Sequence, residues 1–439
     1  MVLNLLKKIL LGKEWPLFIL LLIAGLILSF NLNKPFWGHH DWTGVYWGNI
    51  ARNYMRYGWE SRLGMVENVG LTSSDSFTFT FHYPPLFPLI WALFWKVFGV
   101  NEWSARLMAV VFSLGSICVF YKIIDKYFGV KTAIVTCLFW IFTPMFVYYG
   151  KMPVHEIPLM FFVLLAFYFY LINRYPLTAI CSGCAMLITW PGYFIIPAIT
   201  AHWVVFRKFR HFKLKQIMML WVIAIGLFGL FLTHNYLVTG SIVGGGVREI
   251  FLLRVGEVAL VPYLSILVRW MWTYYFLLVP LAILGLIFTR NHILFLFLAY
   301  AIVYPIIFRD ASFRHDYLLI YFFPWVTLGA AILTTRIIKR DNFLAILVVA
   351  ILMFTIIFRG KFILALLDSN IYKESVKLGK YVNSNSSPTE KVLILADDPN
   401  VGFDGWFVSF YADRATGATS SFSTVFSYKQ LGLKDQMGR

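Results

Sequence analysis

The sequence is poor in charge: only 13% of its 439 residues are Asp, Glu, Lys or Arg, whereas 60% are hydrophobic. A soluble domain carries about a quarter charged residues, because its surface must be hydrated. A chain so poor in charge cannot cover a water-facing surface, and most of it must face lipid or other helices. The composition excludes a soluble globular protein and indicates a polytopic membrane protein.

Cysteine is scarce as well. All four cysteines lie inside apolar stretches, which argues against disulfides and against a soluble metal knuckle. Cys181 and Cys184 have the C-x-x-C spacing of a redox motif, but they lie among small residues in a hydrophobic segment. Such residues more often mark close helix packing.

Acidic residues number 21 against 38 Lys and Arg, a net charge of +17. The basic residues are not gathered in one domain, which argues against nucleic acid as a partner. They recur in short clusters between apolar stretches, as the positive-inside rule predicts. Part of the excess suits anionic membrane lipids or a phosphorylated substrate.

Eleven apolar stretches are candidates to cross a bilayer, which takes about 20 residues. The basic N-terminus precedes the first without an evident cleavage site, which predicts a retained helix rather than a signal peptide. Around Trp190-Pro191-Gly192, residues 177–206 form either two spans or one broken helix. The predicted spans are 15–31, 103–123, 130–149, 157–173, 177–189, 191–206, 216–233, 268–288, 293–308, 317–335 and 342–358.

The distribution of charged residues predicts how these spans are oriented in the membrane. With a cytoplasmic N-terminus, every loop predicted inside is basic, and nearly all acids fall outside. The pattern holds only if Pro84–Val100, which is short and contains three prolines and Lys96, is an interfacial helix on the outer surface. We therefore expect an all-α multi-pass protein of the plasma (inner) membrane, with outer-face interfacial helices and its active site outside.

Two domains are predicted. Residues 1–358 form the transmembrane domain, whose first exterior loop is 31–102, and residues 359–439 form a small exterior α/β subdomain. In this tail, Lys373–Asn383 is predicted to be an amphipathic helix. Lys391–Ala396 and Phe407–Tyr411 are predicted to be strands.

The most informative segment lies in the first exterior loop, where His39-His40-Asp41 precedes residues with helical spacing. We predict an interfacial helix over Trp42–Tyr57 that Gly58 ends. Asp41 is placed as an N-cap, a role worth about 1 kcal/mol. Two histidines and three tryptophans around one carboxylate exceed what a cap needs, so a general base is the functional alternative.

The second exterior loop places Glu156 at the start of a span, beside Lys151 and His155. An acid there complements the helix dipole, but three ionisable groups so close to lipid are costly to keep without a function. Two carboxylates on one face suit general-base work and binding of a substrate or cation.

Further basic residues predicted on the exterior face are candidates to bind a phosphate group. Arg309 and Arg314 can bind it through charge-assisted hydrogen bonds, with His82 and His315 as further candidates. The structural alternative is that Asp310 and Asp316 pair locally with the arginines.

The order of these features resembles a known group: an exterior Asp after the first span, His82-Tyr83-Pro84-Pro85 before an interfacial helix, an acid opening the fourth span, and Arg314-His315-Asp316-Tyr317 opening the tenth. It looks like the GT-C superfamily, in the branch of dolichyl-phosphate-mannose protein mannosyltransferases and lipid A aminoarabinose transferases. The resemblance covers about residues 1–335, and the tail resembles the exterior subdomain of prokaryotic members.

The resemblance implies a GT-C fold and inverting transfer from a polyprenyl- or dolichyl-phosphate sugar to a lipid, glycan or protein acceptor. It implies Asp41 as base and Glu156 as second acid, with a divalent metal ion as a possible cofactor whose candidate ligands are Asp41, His82 and Glu156. The expected substrate-binding residues are His40, His82, Tyr83, Lys151, His155, Arg309, Arg314, His315 and Tyr317.

Two departures from the family pattern stand out. Asp41 is followed by Trp42 where many members have Glu, and Tyr83 replaces the lysine that many members have before the proline. The second departure moves the expected phosphate contact to Lys151, Arg309 or Arg314. Rival functions are a lipid-linked substrate transporter or flippase, which would show internal symmetry and mid-membrane acids, and another membrane transferase such as an acyltransferase or a polysaccharide ligase.

Overall fold

The fold is almost entirely helical. The structure, a computed structural model, describes residues 14–209, 212–256, 258–338, 350, 360–395, 405–416 and 424–427. In chain order the helices are α1 Trp15–Ser29, α2 Trp42–Tyr57, α3 Leu86–Phe98, α4 Glu102–Phe128, α5 Val130–Ile141, α6 Pro144–Tyr149, α7 Glu156–Leu171, α8 Tyr175–Ile188, α9 Ile195–Val205, α10 Leu214–Thr239, α11 Val247–Val255, α12 Leu260–Tyr275, α13 Leu278–Thr289, α14 His292–Ile307, α15 Arg309–Arg314, α16 Phe323–Ile338, α17 Gly360–Asp368, α18 Lys373–Asn385 and α19 Gly405–Ala412.

Strands are few and short. An antiparallel pair, β1 Met65–Val66 and β2 Phe79–Thr80, lies in the first loop. In the tail, β3 Lys391–Leu395 lies between β4 Ala415–Thr416 and β5 Thr424–Ser427, parallel to both.

Apolar helices follow most of the predicted spans. Among the described residues, three helical segments are long and apolar enough to cross a membrane: Glu102–Phe128, Leu214–Thr239 and Asp316–Arg336. A fourth counts only if α11 and α12 together form one bent span, and seven other apolar helices have 10–17 residues. The number of eleven spans therefore stays a prediction, and the span 342–358 lies outside the described residues.

Some predicted helices are interrupted. The single helix predicted over 268–288 is wrong: α12 ends at Tyr275, Phe276 has a φ of 46°, and α13 starts at Leu278. Apolarity continues through this break, so hydropathy could not locate it. Residues 177–206 form α8, a 3₁₀ turn over Trp190–Phe194 and α9, which corresponds to two helices with a tight connection.

Helix packing is closest where α13 crosses α16. A Cβ added to Gly285 would collide with the carbonyl of Gly329, and one added to Gly329 would meet the backbone of Ala282. Small residues allow such backbone contact, and dispersion forces across it hold helices together where lipid removes the hydrophobic driving force.

The first-loop helix has the predicted bounds, Trp42–Tyr57, and Gly58 ends it with a φ of 46°. Two asparagines on its buried face anchor the rest of the loop. Asn49 Nδ2 donates to the carbonyl oxygen of Glu67 at 2.9 Å, and Asn53 Nδ2 donates to that of Val66 at 2.8 Å. This face therefore fixes Glu67 beside the helix.

The C-terminal tail, from residue 360 on, docks on α2. Arg52 and Arg56, one helical turn apart, both pair with Asp413, and the Arg52 guanidinium lies 4.4 Å from the centroid of the Phe410 ring. The predicted strand at Phe407–Tyr411 is wrong, because this segment is helix α19. Phe407, Val408 and Phe410 are buried, a spacing that fits one side of a helix packed between α2 and α18.

The contact between α13 and α16 yields a stability prediction. Gly285→Ala should lower the free energy of unfolding by about 1–3 kcal/mol, because the added methyl has no space. The matched control is Gly226→Ala in α10, where an added Cβ meets nothing within 4 Å; it should be neutral or slightly stabilising. Thermal unfolding in detergent measures both, and equal melting temperatures would contradict the packing argument.

Candidate functional site

A cavity of about 340 Å³ opens at the end of the helical bundle where α7 begins and α14 ends, which we call the site face. Its walls come from α2, the loop after β2, α7, α11, α15 and α19. Seven of the residues predicted from the sequence line it: His82, Tyr83, His155, Glu156, Arg314, His315 and Tyr317.

Glu156 is the first residue of α7 and precedes the apolar stretch that starts at Ile157. Its Oε1 accepts a hydrogen bond from the Tyr321 hydroxyl at 3.3 Å, whereas its buried Oε2 has no partner within the described ranges. Burial raises the pKa of this carboxyl to about 7. A buried carboxylate oxygen without a donor is costly to keep, and here it borders a cavity that can admit one.

Arg254 supplies the opposite charge. It lies in the last turn of α11, its guanidinium is 4.4 Å from the centroid of the Tyr83 ring, and its buried Nη1 has no hydrogen-bond partner in the described part of the chain. The sequence analysis missed this residue. The signal available in the sequence was a cation among apolar residues, two positions before Gly256. In the structure α11 ends just before this glycine, and a Cβ there would collide with the side chain of Asp310.

Two imidazoles border the same space, that of His155 buried and that of His82 half-buried. Burial first, and then the charge of Arg254, lower the pKa of His82 to about 4, so its ring is neutral and can accept a hydrogen bond. His155 packs among Trp47, Tyr83 and Phe87 with ring centroids 4.3–4.5 Å apart. That packing holds the α7 N-terminus, and with it Glu156, against α2 and α3.

Asp41 and Lys151 lie elsewhere, on a separate cavity of about 30 Å³. Oδ2 of Asp41 accepts hydrogen bonds from the backbone N–H groups of Trp37 and Gly38 at 3.0 and 2.7 Å, and Arg106 Nη2 is 3.8 Å from Oδ1. Lys151 Nζ donates to the carbonyl oxygen of Phe30. The structure therefore does not bring Asp41 and Glu156 together in one cavity.

The arginines predicted to bind phosphate divide between two spaces. Arg314 lines the cavity and pairs with Asp310 at 3.1 Å. Arg309 lies at an almost wholly apolar groove of about 890 Å³ between α12, α13 and α14. Both arginines belong to α15, so this short helix forms the partition between groove and cavity.

A cluster of His39, His40 and Asp316 lies next to the cavity. His40 Nε2 is 3.0 Å from Oδ1 of Asp316, and His39 Nε2 is 3.4 Å from Oδ2. His40 does not line the cavity, but its ring centroid is 5.2 Å from that of Tyr317, which does. Asp316 thus pairs with histidines, whereas Asp310 forms the predicted arginine pair.

The predicted metal ligands Asp41, His82 and Glu156 are not assembled: Asp41 lines the smaller cavity, and the other two line the larger one. Over the ranges that the structure describes, a single group of three His, Cys, Asp or Glu side chains has its ligand atoms close enough for one metal ion. That group is His39, His40 and Asp316.

The chain resembles known glycosyltransferases in part of its sequence and in its fold. Residues 82–236 match the family model described as dolichyl-phosphate-mannose-protein mannosyltransferase. ArnT from Cupriavidus metallidurans, bound to undecaprenyl phosphate, superposes with a TM-score of 0.64 over 93% of this chain and 87% of that chain, at 13% sequence identity. The chain has the GT-C fold.

Other matches agree with this GT-C fold. The archaeal oligosaccharyltransferase AglB from Archaeoglobus fulgidus, in complex with an inhibitory peptide and a dolichol-phosphate, superposes with a TM-score of 0.60 at 13% identity, over 93% of this chain and 65% of that chain. An uncharacterized protein of Aquifex aeolicus is 29% identical over 139 residues, which are 31% of this chain and a third (33%) of that protein.

The two amide bonds to Asp41 generate a stability prediction. Asp41→Ala should cost about 1–3 kcal/mol of unfolding free energy, because two N–H donors lose their acceptor. Asp41→Asn keeps a carbonyl oxygen for them and should cost clearly less. Thermal unfolding in detergent compares the variants, and equal losses would show that the amide bonds contribute little.

Proposed function

We propose that this protein transfers a sugar from a polyprenyl- or dolichyl-phosphate carrier to an acceptor at the non-cytoplasmic membrane face, with inversion at the anomeric carbon. The observation that carries the proposal is a pair of buried polar atoms, Glu156 Oε2 and Arg254 Nη1, that have no hydrogen-bond partner among the described residues and belong to residues that line one cavity. An acceptor proton and a donor phosphate are the groups that such atoms bind.

The apolar groove suits the isoprenoid tail. It lies beside the cavity, and Arg309 and Arg314 of α15 provide cations between the two spaces. A lipid phosphate at this partition would leave its tail in the groove and its sugar in the cavity. The polyprenyl carriers in the ArnT and AglB structures support this class of donor.

Aromatic side chains suit the sugar. Trp42, Tyr46 and Trp406 line the cavity, and the Trp406 ring centroid lies 5.2 Å from that of Tyr46. Aromatic faces pack well against the C–H faces of sugar rings. The acceptor, which is a lipid, glycan or protein hydroxyl, would enter from the aqueous side past the exterior tail.

In the proposed reaction Glu156 acts as general base. It takes the acceptor proton as the acceptor oxygen bonds to the anomeric carbon and the bond from that carbon to the phosphate oxygen breaks. Arg254 and Arg314 stabilise the charge that develops on the departing phosphate. Lipid phosphate is already a stable anion, so no general acid is required. Asp41 as base stays a prediction, since its carboxylate lines the other cavity.

A direct test incubates the purified protein with a panel of polyprenyl-phosphate hexoses and pentoses. Release of the lipid phosphate that depends on an added acceptor is the expected result. Energy-independent movement of the lipid across vesicles without release would favour a flippase and overturn the proposal.

The two carboxylates can be distinguished by variants. Glu156→Gln should lower kcat by about 10²–10⁴, the usual contribution of a general base. Wild-type kcat/KM should rise about tenfold per pH unit below pH 7 and level off above it, because the base with a pKa of about 7 must be deprotonated. The Asp41→Asn variant should retain this pH profile. Loss of turnover in Asp41→Asn together with near-normal turnover in Glu156→Gln would assign the base to Asp41.

Arg254→Gln should raise KM for the donor by about 10- to 100-fold, since a charge-assisted hydrogen bond contributes about 1.5–3 kcal/mol. Arg248→Gln is the matched control, because Arg248 lies on the same helix but is exposed. Steady-state kinetics over a range of donor concentrations measures both. An unchanged KM in Arg254→Gln would remove this residue from the phosphate site.

A further inference from the structure

We propose that His39, His40 and Asp316 bind one divalent transition-metal ion, of the Zn²⁺ or Mn²⁺ type, beside the reaction cavity. Two imidazoles and a carboxylate are ligands that such ions accept, whereas Mg²⁺ and Ca²⁺ prefer oxygen alone. This proposal does not rest on the proposed glycosyl transfer, because metal binding can be measured without any turnover.

The spacing of the ligand atoms supports a shared ion. Ligand atoms about 2.0–2.2 Å from one metal ion lie about 3.0–3.5 Å from each other in octahedral or tetrahedral geometry. The histidine Nε2 atoms lie 3.0 and 3.4 Å from the two carboxylate oxygens of Asp316, and ligand atoms of all three residues lie within 4.8 Å of one another.

The surroundings of Asp316 resemble an outer ligand shell. The Tyr149 hydroxyl donates to Oδ1 at 2.6 Å, and the Tyr274 hydroxyl donates to Oδ2. Such hydrogen bonds fix a ligating carboxylate in place and leave each oxygen a further lone pair. The donors come from α6 and α12, so two helices brace one carboxylate.

The backbone of the two histidines is also fixed by specific contacts. The His39 N–H donates to Ser369 Oγ at 2.8 Å, and its carbonyl oxygen accepts from the Tyr148 hydroxyl at 2.7 Å. His40 has a φ of 58°, a left-handed conformation that a non-glycine residue adopts at a cost. Strain of this kind persists where surrounding contacts enforce it, often at functional sites. Asp41, through its bonds to the backbone at residues 37 and 38, is one of those contacts.

The position of the cluster suggests a chemical use. The His39 side chain is one-third exposed (33%), so solvent reaches the cluster, as it does in metal sites that bind substrate or water. The His40 ring is adjacent to Tyr317, a wall of the cavity. The alternative is a metal-free set of hydrogen bonds from both imidazoles to Asp316.

The experiment measures metal content. Full-length protein in detergent is stripped with EDTA, incubated with Zn²⁺ or Mn²⁺, desalted and analysed by mass spectrometry for metal per chain. We expect one ion per chain in the wild type, less than a tenth of this in His40→Gln and Asp316→Asn, and full occupancy in His234→Gln, whose histidine lies outside the cluster. Excess Mg²⁺ should not displace the ion.

A second measurement separates ligation from structural support. Co²⁺ bound to the wild type should show the visible absorption of a nitrogen-containing coordination sphere, and His39→Gln should shift or abolish it while the melting temperature of the metal-free protein stays unchanged. Absence of stoichiometric metal from the folded wild type would overturn the proposal. So would equal metal content in the wild type and the cluster variants.

Discussion

The constraint on which the structure depends is that an ionisable group taken out of water needs a specific partner. Around the site face most such groups have one within the protein. Asp41 binds two backbone amides, Lys151 binds a carbonyl oxygen and Asp413 joins two arginines. These groups hold loops and the tail to the bundle. Glu156 and Arg254 each retain a buried polar atom without a partner in the described chain, and this difference separates the binding site from its scaffold.

Local signals in the sequence predicted local structure well. Helix Trp42–Tyr57 was predicted with its bounds because its amphipathic spacing and terminal Gly58 act over a few residues. Apolarity alone was less informative: it merged α12 and α13 into one span, since the break at Phe276 lies within a continuously apolar stretch. The short apolar segment Phe407–Tyr411 suited a strand as well as a helix, and in the structure it is a helix that packs on α2 and α18.

The candidate site was predicted in outline, and its pairings were not. Seven predicted residues line one cavity, because alternate loops of a helical bundle meet at the same end of it. Which of them touch depends on contacts between residues far apart in sequence. His40 pairs with Asp316, which lies far from it in sequence. Asp41 instead binds backbone N–H groups of its own loop. Arg254 was overlooked for the same reason, since a cation among apolar residues marks a candidate but does not reveal that α11 returns to the cavity.

The cavity is lined on one side by Trp406, which belongs to the C-terminal tail, whereas Glu156 and Arg254 belong to the helical bundle and the segments that pack on it. The tail is attached to α2 largely through Asp413 and Phe410. A wall contributed by this tail can change its side chain without repacking the helices of the bundle. Under the proposed transfer, the wall that faces the acceptor is therefore free to differ between relatives while the helices that would hold the carrier stay the same.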